Sequence, residues 1–451
     1  LGVFVGGATY SAIEAVCNGT GDLRSDVLIS LDSLLRKSLL RREPTADEPR
    51  VAMLETIREY ALERLTAGGD AATLHRLHAE YFLAMAEAAE PQLAGDERKL
   101  WLAQLERDHD NLRAALAWMA AHGELEMEAR LAGSLGSFWQ IHGHVPEGRR
   151  RLYAVFARSA GVAAPLRARV LLEAGNLAAH ESDYHEAVNL YQESLGLFGA
   201  AGDGRTCGYL LYGLAKVLDA LGDTAGALTA LRQGLVLSRG SGDLAVAAST
   251  LNMLGTLTFY YSAADEGIAY YEESLALYRE AGDKLGASNV LNNLGEVARL
   301  RDDYAAADAL YEESLVACRD LDDPLGIAIG LDNLGQIALH QSDYGHAQAL
   351  FTESLQLCRR LGRKKTIAIC LGGLAGVAAA QAAPVRAAHL CGAAEVILEA
   401  IRLPLAPADA VEYDRHKAIA RAQLPPTVWE AAIAEGRAMP TEQPVDYALA
   451  S

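Results

Sequence analysis

Amide, carboxylate and guanidinium side chains recur on one face of a predicted helix in the second half of this chain. Asn292, Glu296 and Arg299 are spaced i, i+4 and i+7, so a helix places them together, away from the apolar positions Leu291 and Leu294. An asparagine side chain carries both a donor and an acceptor, which suits it to hold an extended peptide backbone. This spacing predicts a surface that binds a peptide, a protein or a small effector. The alternative is a solvated surface without a partner.

Equivalent positions before and after this segment carry further polar or aromatic side chains. They recur at a shift of 40 residues, so the same face of successive helices would present them. We therefore predict one partner-binding groove along these helices. Its predicted residues are Tyr212, Lys216, Asn252, Phe259, Asn292, Asn293, Glu296, Arg299, Asp332, Asn333 and Gln336.

Histidines occur as two close pairs, which raises the question of a metal site. The pairs are His75-x-x-His78 and His142-x-His144, but no cysteine or clustered carboxylate completes either set in the sequence. A further histidine, His109, has no strand-turn-helix nucleophile motif beside it, so a contact of a linker helix is the simpler interpretation. The sequence therefore predicts no metal ligands and no catalytic residues, and we expect that the chain is not an enzyme.

Patterns for binding phosphate or nucleic acid are weak. No G-x-x-x-x-G-K-[ST] motif is present, and residues 362–366 only echo it because the second glycine is missing. The formal net charge is −19, which argues against charge-driven binding to nucleic acids. A local basic cluster at Arg41 and Arg42 is offset by acids such as Asp32 and Glu43. We predict no cofactor in this chain and no direct binding to nucleic acid.

The elements that must position the predicted groove form a repeat. Residues 285–323 make one unit, and the same residue types recur at a shift of 40 positions on both sides. Each unit contains two apolar stripes at helical spacing, which predicts a helical hairpin. Small residues at Gly295 and Ala307 let the paired helices approach closely. Bulky residues at Tyr311 and Leu315 are expected to fill the space between neighbouring hairpins.

Turn residues follow the same period. An aspartate precedes most second helices, where its carboxylate can accept from unpaired backbone N–H groups. A glycine follows most second helices, where a left-handed residue ends a helix, and the aspartate after it is a candidate N-cap for the next hairpin. These positions are Asp183, Asp203, Asp223, Asp243, Asp283, Asp303, Asp323 and Asp343, with Gly202, Gly242, Gly282 and Gly362.

The spacing of Leu294, Gly295, Ala307 and Tyr311 resembles the tetratricopeptide repeat (TPR) in a longer, forty-residue form. We assign the array to residues 127–398, with first and last units that depart from the motif and resemble capping units. The resemblance implies an all-α fold, a TPR superhelical solenoid in which the first helices line a concave groove.

Residues 1–66 lie outside the repeat and carry a different pattern. Helices followed by two strands predict a small winged-helix domain that precedes the solenoid, and residues 67–126 predict a helical linker. The predicted elements of the first domain are helices over residues 9–16, 26–37 and 54–65 and strands over residues 38–42 and 51–53.

Motifs in this region are Phe4-Val5-Gly6-Gly7-Ala8, Leu31-x-x-Leu34-Leu35-x-Lys37-Ser38-Leu39-Leu40, Met53-Leu54-Glu55-Thr56-Ile57-Arg58-Glu59-Tyr60-Ala61, His78-Ala79-Glu80-Tyr81-Phe82 and His109-Asp110-Asn111-Leu112-Arg113-Ala114-Ala115-Leu116. They resemble the winged-helix segment and linker of bacterial STAND-type NTPase regulators, the LuxR-like, MalT-like and AfsR-like predicted ATPases. The resemblance implies an upstream nucleotide-binding domain that holds ATP or ADP, and a TPR array that acts as the sensor arm of a signal-transducing transcriptional regulator. The alternative is a non-switching TPR scaffold or adaptor protein.

The composition of the chain indicates its cellular compartment. The six cysteines show no C-x-x-C spacing, which favours core thiols in a reducing, cytoplasmic compartment. No stretch reaches the roughly 18 uninterrupted apolar residues of a spanning helix, so we expect no contact with a membrane. The chain begins at Leu1 rather than methionine, and we expect it to be part of a longer protein. Residues 399–451 lose the repeat spacing and predict C-terminal capping helices and a tail.

Overall fold

The computed structural model describes residues 1–19, 26–43, 48–93, 95, 97–201, 204–401, 405–440 and 443–450. The chain divides into two compact units, Leu1–Ala230 and Leu231–Ser451. Both units are mainly α-helical, and their helices repeat as TPR-like hairpins, as the sequence predicts.

The amino-terminal part of the first unit combines three helices with a small antiparallel sheet. Its elements are β1 (Ala8–Thr9), α1 (Tyr10–Cys17), α2 (Val27–Arg36), β2 (Leu40–Glu43), β3 (Arg50–Met53) and α3 (Glu55–Gly68). The strand order is β1-β3-β2, with Arg42 opposite Val51. The predicted helices and strands are confirmed with shifts of one to three residues, whereas β1 was not predicted. The segment between β2 and β3 lies partly outside the described residues.

Three linker helices follow, α4 (Ala71–Gln92), α5 (Arg98–Arg107) and α6 (His109–His122). The buried side chain of Asn111 joins α6 to the amino-terminal loop, because it accepts from the Val5 N–H at 2.7 Å and donates to the Gly7 carbonyl at 2.9 Å. The buried Arg50 guanidinium pairs with Asp108 at 2.8 Å. The amino-terminal and linker motifs of the sequence therefore meet in a structural contact.

The first hairpin of the array is irregular. Its elements are α7 (Leu125–Ser134), α8 (Gly136–Ile141), α9 (Val145–Arg158) and a 3-10 turn (Ser159–Gly161). The helical path breaks at Leu135, which separates α7 from α8. Gly136 then leaves room for the Glu173 carboxylate, which a Cβ atom at this position would strike. This departure from the motif is the one expected of the first unit.

Regular hairpins follow with the predicted period. The first helices begin at residues 164, 204, 244, 284, 324 and 364, which are 40 residues apart. The boundary between the two compact units falls inside the second helix of the second pair. The pairs are α10 (Ala164–His180) with α11 (Tyr184–Ala201), α12 (Gly204–Ala220) with α13 (Thr224–Ser241), α14 (Leu244–Tyr261) with α15 (Ala264–Ala281), α16 (Lys284–Leu300) with α17 (Tyr304–Asp320), α18 (Pro324–His340) with α19 (Tyr344–Leu361), and α20 (Lys364–Ala380) with α21 (Pro384–Ile401).

Small and aromatic residues set the distance between helices. A Cβ atom on Gly295 would lie 2.5 Å from a ring carbon of Tyr311, so the ring packs on the bare backbone within one hairpin. Phe351 packs against Gly335 in its own hairpin and against Gly373 in the next one. The aromatic residues therefore fill the space within hairpins as well as the predicted space between them.

A buried serine in the second helix adds a repeated hydrogen bond to the first helix. Ser274 Oγ donates to the Ala248 carbonyl at 2.7 Å, and Ser354 Oγ donates to the Ala328 carbonyl at 2.7 Å. Ser194 makes the corresponding bond in the first unit. A carbonyl oxygen has two lone pairs, so it accepts this bond in addition to the helical one. The serine column thus ties the two helices of a hairpin together.

Helix caps follow the predicted turn chemistry. Asp283 caps α16 by accepting from the Gly286 N–H at 2.8 Å, and Gly282 before it is left-handed, with φ of +71°. The predictions for Gly202 and Asp203 lie outside the described residues. Caps of the same kind are made by Asp223, Asp243, Asp303, Asp323 and Asp343.

Three further helices follow the last regular hairpin, α22 (Pro407–Arg421), α23 (Pro426–Arg437) and α24 (Gln443–Leu449). The first two were predicted. Trp429 on α23 and Val445 on α24 are buried in the core formed with α20 and α21. The helix α24 corrects the expectation of a tail, because Val445 and Ala448 give this segment an apolar face.

Two further findings concern the cysteines and the helices as a set. None of the six cysteines, all within the described residues, forms a disulfide; five are buried and Cys17 is half-buried. Within the part of the chain that the structure describes, no helix combines the length and the apolar character that crossing a bilayer requires.

Candidate functional site

The predicted groove residues all lie on the first helices of their hairpins. Tyr212 and Lys216 lie on α12 in the first unit, and the others lie on α14, α16 and α18 in the second unit. Within each unit we call the surface formed by these helices the first-helix face. The predicted residues have different surroundings on the two faces.

A cavity of about 350 Å³ opens on the first-helix face of the first unit. This volume falls at the lower end of the roughly 300–1,000 Å³ that is usual for sites of small ligands. Four tyrosines dominate its wall, so we call it the tyrosine cavity. Its lining is Gln140, Asn176, Ala179, His180, Tyr184, Tyr191, Tyr209, Tyr212, Gly213, Lys216, Val217 and Ala220.

Polar atoms in the tyrosine cavity are held in place by the hairpins around them. Tyr191 comes from α11, and its hydroxyl donates to Asn176 Oδ1 on α10 at 2.8 Å. The Lys216 ammonium lies 5.7 Å from the centre of the Tyr212 ring, one helical turn away on α12. The two predicted residues of this unit are therefore brought together at the cavity, beside hydrogen-bonding groups from other helices.

The charged and ionisable groups that line the tyrosine cavity favour a positive electrostatic potential. Its lining contains no carboxylate, and Lys216 is exposed without an ion-pair partner among the described residues. His180 adds a second basic group, whose Nδ1 lies 3.4 Å from Gln140 Nε2. Glu173 lies nearby on α10, where burial raises the pKa of its carboxyl to about 7, so much of it is uncharged near neutral pH. The cavity can therefore accept a negatively charged group.

Asparagines of neighbouring first helices pair with one another in the second unit. Asn293 Nδ2 donates to Asn252 Oδ1 at 2.8 Å, and Asn333 Nδ2 donates to Asn292 Oδ1 at 2.7 Å. Each bond uses one donor and one acceptor of a pair, so part of the amide capacity is already satisfied. The structure brings four predicted residues together, but as an amide ladder between helices.

Two carboxyls, the half-buried Glu296 and the buried Asp332, lie beside this amide ladder. Glu296 accepts from Asn292 Nδ2 at 3.3 Å and from the Tyr260 hydroxyl at 3.4 Å. Burial raises the pKa of the Glu296 and Asp332 carboxyls to about 7, and the nearby negative charge of Asp409 acts in the same direction. Asp332 is only 4% exposed, which accounts for its raised pKa. The Glu296 and Asp332 carboxyls are therefore expected to bind and release protons near neutral pH.

The helix α22 covers two further predicted residues of the second unit, Arg299 and Gln336. Arg299 is 3% exposed; its Nη1 lies 3.4 Å from Glu412 Oε1 and its Nη2 lies 3.8 Å from Asp409 Oδ1. Glu412 also accepts from His340 Nε2 at 3.1 Å. Gln336 and Asp409 line a cavity of about 10 Å³, which holds one water molecule at most. Arg299 and Gln336 therefore face the chain's own helix.

Phe259 has a different environment from the other predicted residues. Its ring lies 5.0 Å from the Tyr260 ring and packs against the core around Tyr271. A Cβ atom on Gly267 would lie 2.6 Å from the Phe259 backbone nitrogen, so α15 approaches α14 closely at this point. Phe259 therefore contributes to packing within its hairpin.

Sequence reasoning missed residues that complete both faces. Tyr191 is the repeat equivalent of Tyr311, a position predicted for packing between helices. That prediction gave no sign that the Tyr191 hydroxyl reaches the tyrosine cavity. Tyr209 precedes Tyr212 by three positions, a helical spacing that could have indicated an aromatic pair. Asp409 and Glu412 lie outside the repeat, so no column pointed to them.

The stacked hairpins and the two first-helix faces are those of a TPR-repeat fold. The family described as Tetratricopeptide repeat matches residues 246–320. Proteins named HTH-type transcriptional regulators in Mycobacterium bovis and Mycobacterium tuberculosis are 36% identical over 148 residues. That match covers 33% of this chain and 17% of each relative, so the chain spans only a small part of their length.

Solved structures extend the likeness in fold. A Signal Transduction ATPase with Numerous Domains (STAND) protein with a TPR sensor from Pyrococcus horikoshii has a TM-score of 0.64 and 13% identity, covering 97% of this chain and 61% of that chain. The apo form of the quorum sensor NprR from B. thuringiensis has a TM-score of 0.47 and 12% identity, covering 75% and 97%. At these identities the likeness concerns the fold alone.

Proposed function

We infer that this chain is a ligand-binding arm that takes a peptide, a protein segment or a small effector into the tyrosine cavity of the first unit. The observation that carries this proposal is the combination of an open volume of about 350 Å³ with a Lys216 that has no ion-pair partner in the described part of the chain, in a lining without carboxylates. The chain as a whole has a net charge of −19, so such a positive cavity is a local feature.

The chemistry of the cavity favours a ligand with an anionic group and an apolar or aromatic body. The Lys216 ammonium would pair with the anionic group. The tyrosine rings offer flat apolar surface with a polar edge, which suits a side chain or ring of the ligand. His180 and Asn176 supply further hydrogen-bonding atoms at the wall. An acidic peptide residue beside an apolar one satisfies all three demands.

We further propose that the arm belongs to a STAND-type regulator and works in the cytoplasm. The STAND protein with a TPR sensor supports this in fold, and the relatives named as transcriptional regulators support it in sequence. In this proposal an upstream domain holds ATP or ADP, and the amino-terminal helices and hairpin act as a winged helix that relays ligand binding to it. This chain itself would carry no cofactor and no catalytic activity.

A non-switching scaffold is the second candidate, and the covered face of the second unit favours it. There α22 covers Arg299 and Gln336, and its Glu412 pairs with Arg299, as in a stable platform without a moving part. The two candidates differ in what ligand binding does to α3. Slower or faster amide exchange in α3 on binding supports the relay, and unchanged exchange there supports the scaffold.

The proposed cavity is tested by panning a phage-displayed random heptapeptide library on the full, untagged chain. Peptides that share an acidic residue next to an apolar one are expected, because these groups match Lys216 and the tyrosine rings. A selected peptide is then synthesised and its affinity measured by calorimetry. Lys216→Gln should weaken its binding about tenfold or more, since a charge-assisted contact is lost.

Lys364→Gln is the matched control, because Lys364 is an exposed lysine on a first helix of the second unit. Its affinity for the selected peptide should equal that of the unchanged chain. Peptides that bind Lys216→Gln as tightly as the unchanged chain, or a library that yields no binders, would contradict the proposed cavity.

A further inference from the structure

Imidazoles and carboxylates gather where the linker helices meet the first hairpin. Glu106 is near the end of α5, and His109 is the first residue of α6. His142 and His144 lie in the loop between α8 and α9. Residues that are more than 30 positions apart in sequence thus converge in one place within the first unit, independently of the tyrosine cavity.

The ligand atoms of this cluster are close enough to share one ion. Glu106, His109 and His144 each offer one ligand atom, and these atoms all lie within 4.8 Å of one another. Glu106 Oε2 lies 2.9 Å from His144 Nε2 and 3.4 Å from His142 Nδ1. The rings of His109 and His144 lie 4.2 Å apart between centres. The expectation that no carboxylate completes the histidine pair therefore does not hold.

His109 supplies a second, independent observation. It is only 6% exposed, and its Nε2 atom has no hydrogen-bond partner among the described residues. The nearest carboxylate oxygen recorded for it is Glu147 Oε2 at 3.7 Å, which is too far for a hydrogen bond. Glu147 is in turn held by Arg113, whose Nε lies 2.9 Å from it. A buried imidazole nitrogen of a cluster residue is thus left without a hydrogen-bond partner among the described residues.

We propose that Glu106, His109 and His144 bind a divalent transition-metal ion, with Zn²⁺ as the best match. Two imidazole nitrogens and one carboxylate oxygen form a donor set that zinc accepts in proteins, with the fourth position open. Ca²⁺ and Mg²⁺ fit less well, since they prefer oxygen ligands throughout. His142 is the nearest candidate for the fourth position. The Arg113 charge is neutralised by Glu147, so it does not oppose the cation.

Small side-chain rotations would complete the geometry. Zinc bonds of about 2.0–2.1 Å at tetrahedral angles separate neighbouring ligand atoms by roughly 3.3 Å. The present separations run from 2.9 Å for the Glu106–His144 contact to at most 4.8 Å for the set. The bound ion would tie the α5–α6 junction to the loop before α9, and it would fix the linker to the first hairpin.

The experiment uses the full chain with its affinity tag removed and its metals stripped by chelation and buffer exchange. Zn²⁺ is titrated by calorimetry, and Co²⁺ is titrated by visible absorption as a coordination probe. We expect one tightly bound equivalent, a four-coordinate Co²⁺ spectrum that Zn²⁺ abolishes, and a higher unfolding temperature with Zn²⁺. His144→Ala and Glu106→Gln should each weaken Zn²⁺ binding at least tenfold, whereas His185→Asn, an exposed histidine on α11, should not.

His109→Gln is the third variant. Because His109 is buried, the Zn²⁺ affinity of this variant is compared only after its circular dichroism spectrum is shown to match that of the unchanged chain. His144→Ala and Glu106→Gln change more accessible side chains and decide the proposal without it. Zn²⁺ affinity equal to that of the unchanged chain in both of these variants, or no four-coordinate Co²⁺ spectrum, would overturn the proposal.

Discussion

The first-helix faces of the two units share one scaffold but differ in what occupies them. In the first unit, α8, α10 and α12 border the tyrosine cavity, and Lys216 has no ion-pair partner among the described residues. In the second unit, α22 covers α16, α18 and α20, and Arg299 pairs with Asp409 and Glu412. One face is therefore open to a ligand, and the other is closed by the chain itself.

The difference teaches that the repeat determines the scaffold and leaves the faces free to vary. Residues in the repeat columns, such as Gly295 and Tyr311, set the spacing of helices in the same way in each hairpin. Positions between the columns carry no such constraint, so position 216 holds a lysine where position 336 holds a glutamine. A binding surface can thus arise in one part of an array while the equivalent surface elsewhere is used for packing.

The largest expected effect comes from removing the ion pair between Arg299 and α22 on the closed face, the first-helix face of the second unit. Arg299→Ala would leave the half-buried Asp409 and the buried Glu412 carboxylate without the guanidinium, so the free energy of unfolding should fall by about 3–5 kcal/mol. Arg301→Ala is the matched control, because Arg301 pairs with Asp265 at 2.7 Å on the exposed surface. Its loss should stay within about 1 kcal/mol. Urea unfolding followed by circular dichroism measures both, and equal losses would show that α22 is not held by this ion pair.

The shared scaffold is tested by adding a methyl group under the aromatic ring of each unit. Cβ atoms on Gly175 and Gly295 would lie 2.7 Å and 2.5 Å from ring carbons of Tyr191 and Tyr311. Gly175→Ala and Gly295→Ala should therefore each cost about 1–3 kcal/mol through overpacking. Gly240→Ala is the control, because open space surrounds this helical glycine. Thermal unfolding should show that its free energy of unfolding rises by about 0.5–1 kcal/mol. Unequal costs at 175 and 295 would mean that the scaffold differs between units.

The smallest effect concerns protons on the closed face. The pKa of Asp332 is raised from 3.8 to about 7 in the folded chain, so the folded state binds an extra proton between these values. The free energy of unfolding should therefore fall as pH rises through this window. Asp332→Asn keeps an uncharged side chain, so its stability relative to the unchanged chain should rise by roughly 1–2 kcal/mol between about pH 6 and pH 8. Unfolding titrations at the two pH values measure this difference.

Asp414→Asn is the control for the pH experiment, since Asp414 is exposed on α22. Its stability relative to the unchanged chain should be nearly the same at both pH values. If Asp332→Asn behaves like Asp414→Asn, the Asp332 carboxyl is not shielded from solvent as the closed face requires.

The scaffold was predictable because its determinants are local and repeated. The shift of 40 residues, the Asp283 cap and the Gly282 turn all follow from residues close in sequence. The helix α24 was missed because Val445 and Ala448 form too short an apolar pattern to distinguish a helix from a tail. Periodicity therefore indicated the hairpins, and it failed where the repeat ends.

The occupied and open faces were only partly predictable. Tyr212 and Lys216 were predicted from their positions on a first helix, and the structure brings both to the tyrosine cavity. The burial of Arg299 was not predictable, because its partner Glu412 is more than 100 residues away and outside the repeat. Contacts between such remote segments depend on the path of the chain, which no column of residue types records.

Hydrogen–deuterium exchange with a peptide selected from the heptapeptide library tests the contrast between the two faces most directly. The account predicts slower amide exchange in α10 and α12, around Tyr212 and Lys216, with no change in α16 and α18. Protection confined to α16 and α18, around Asn292 and Gln336, would contradict it. The ligand would then bind the face that α22 covers in the structure.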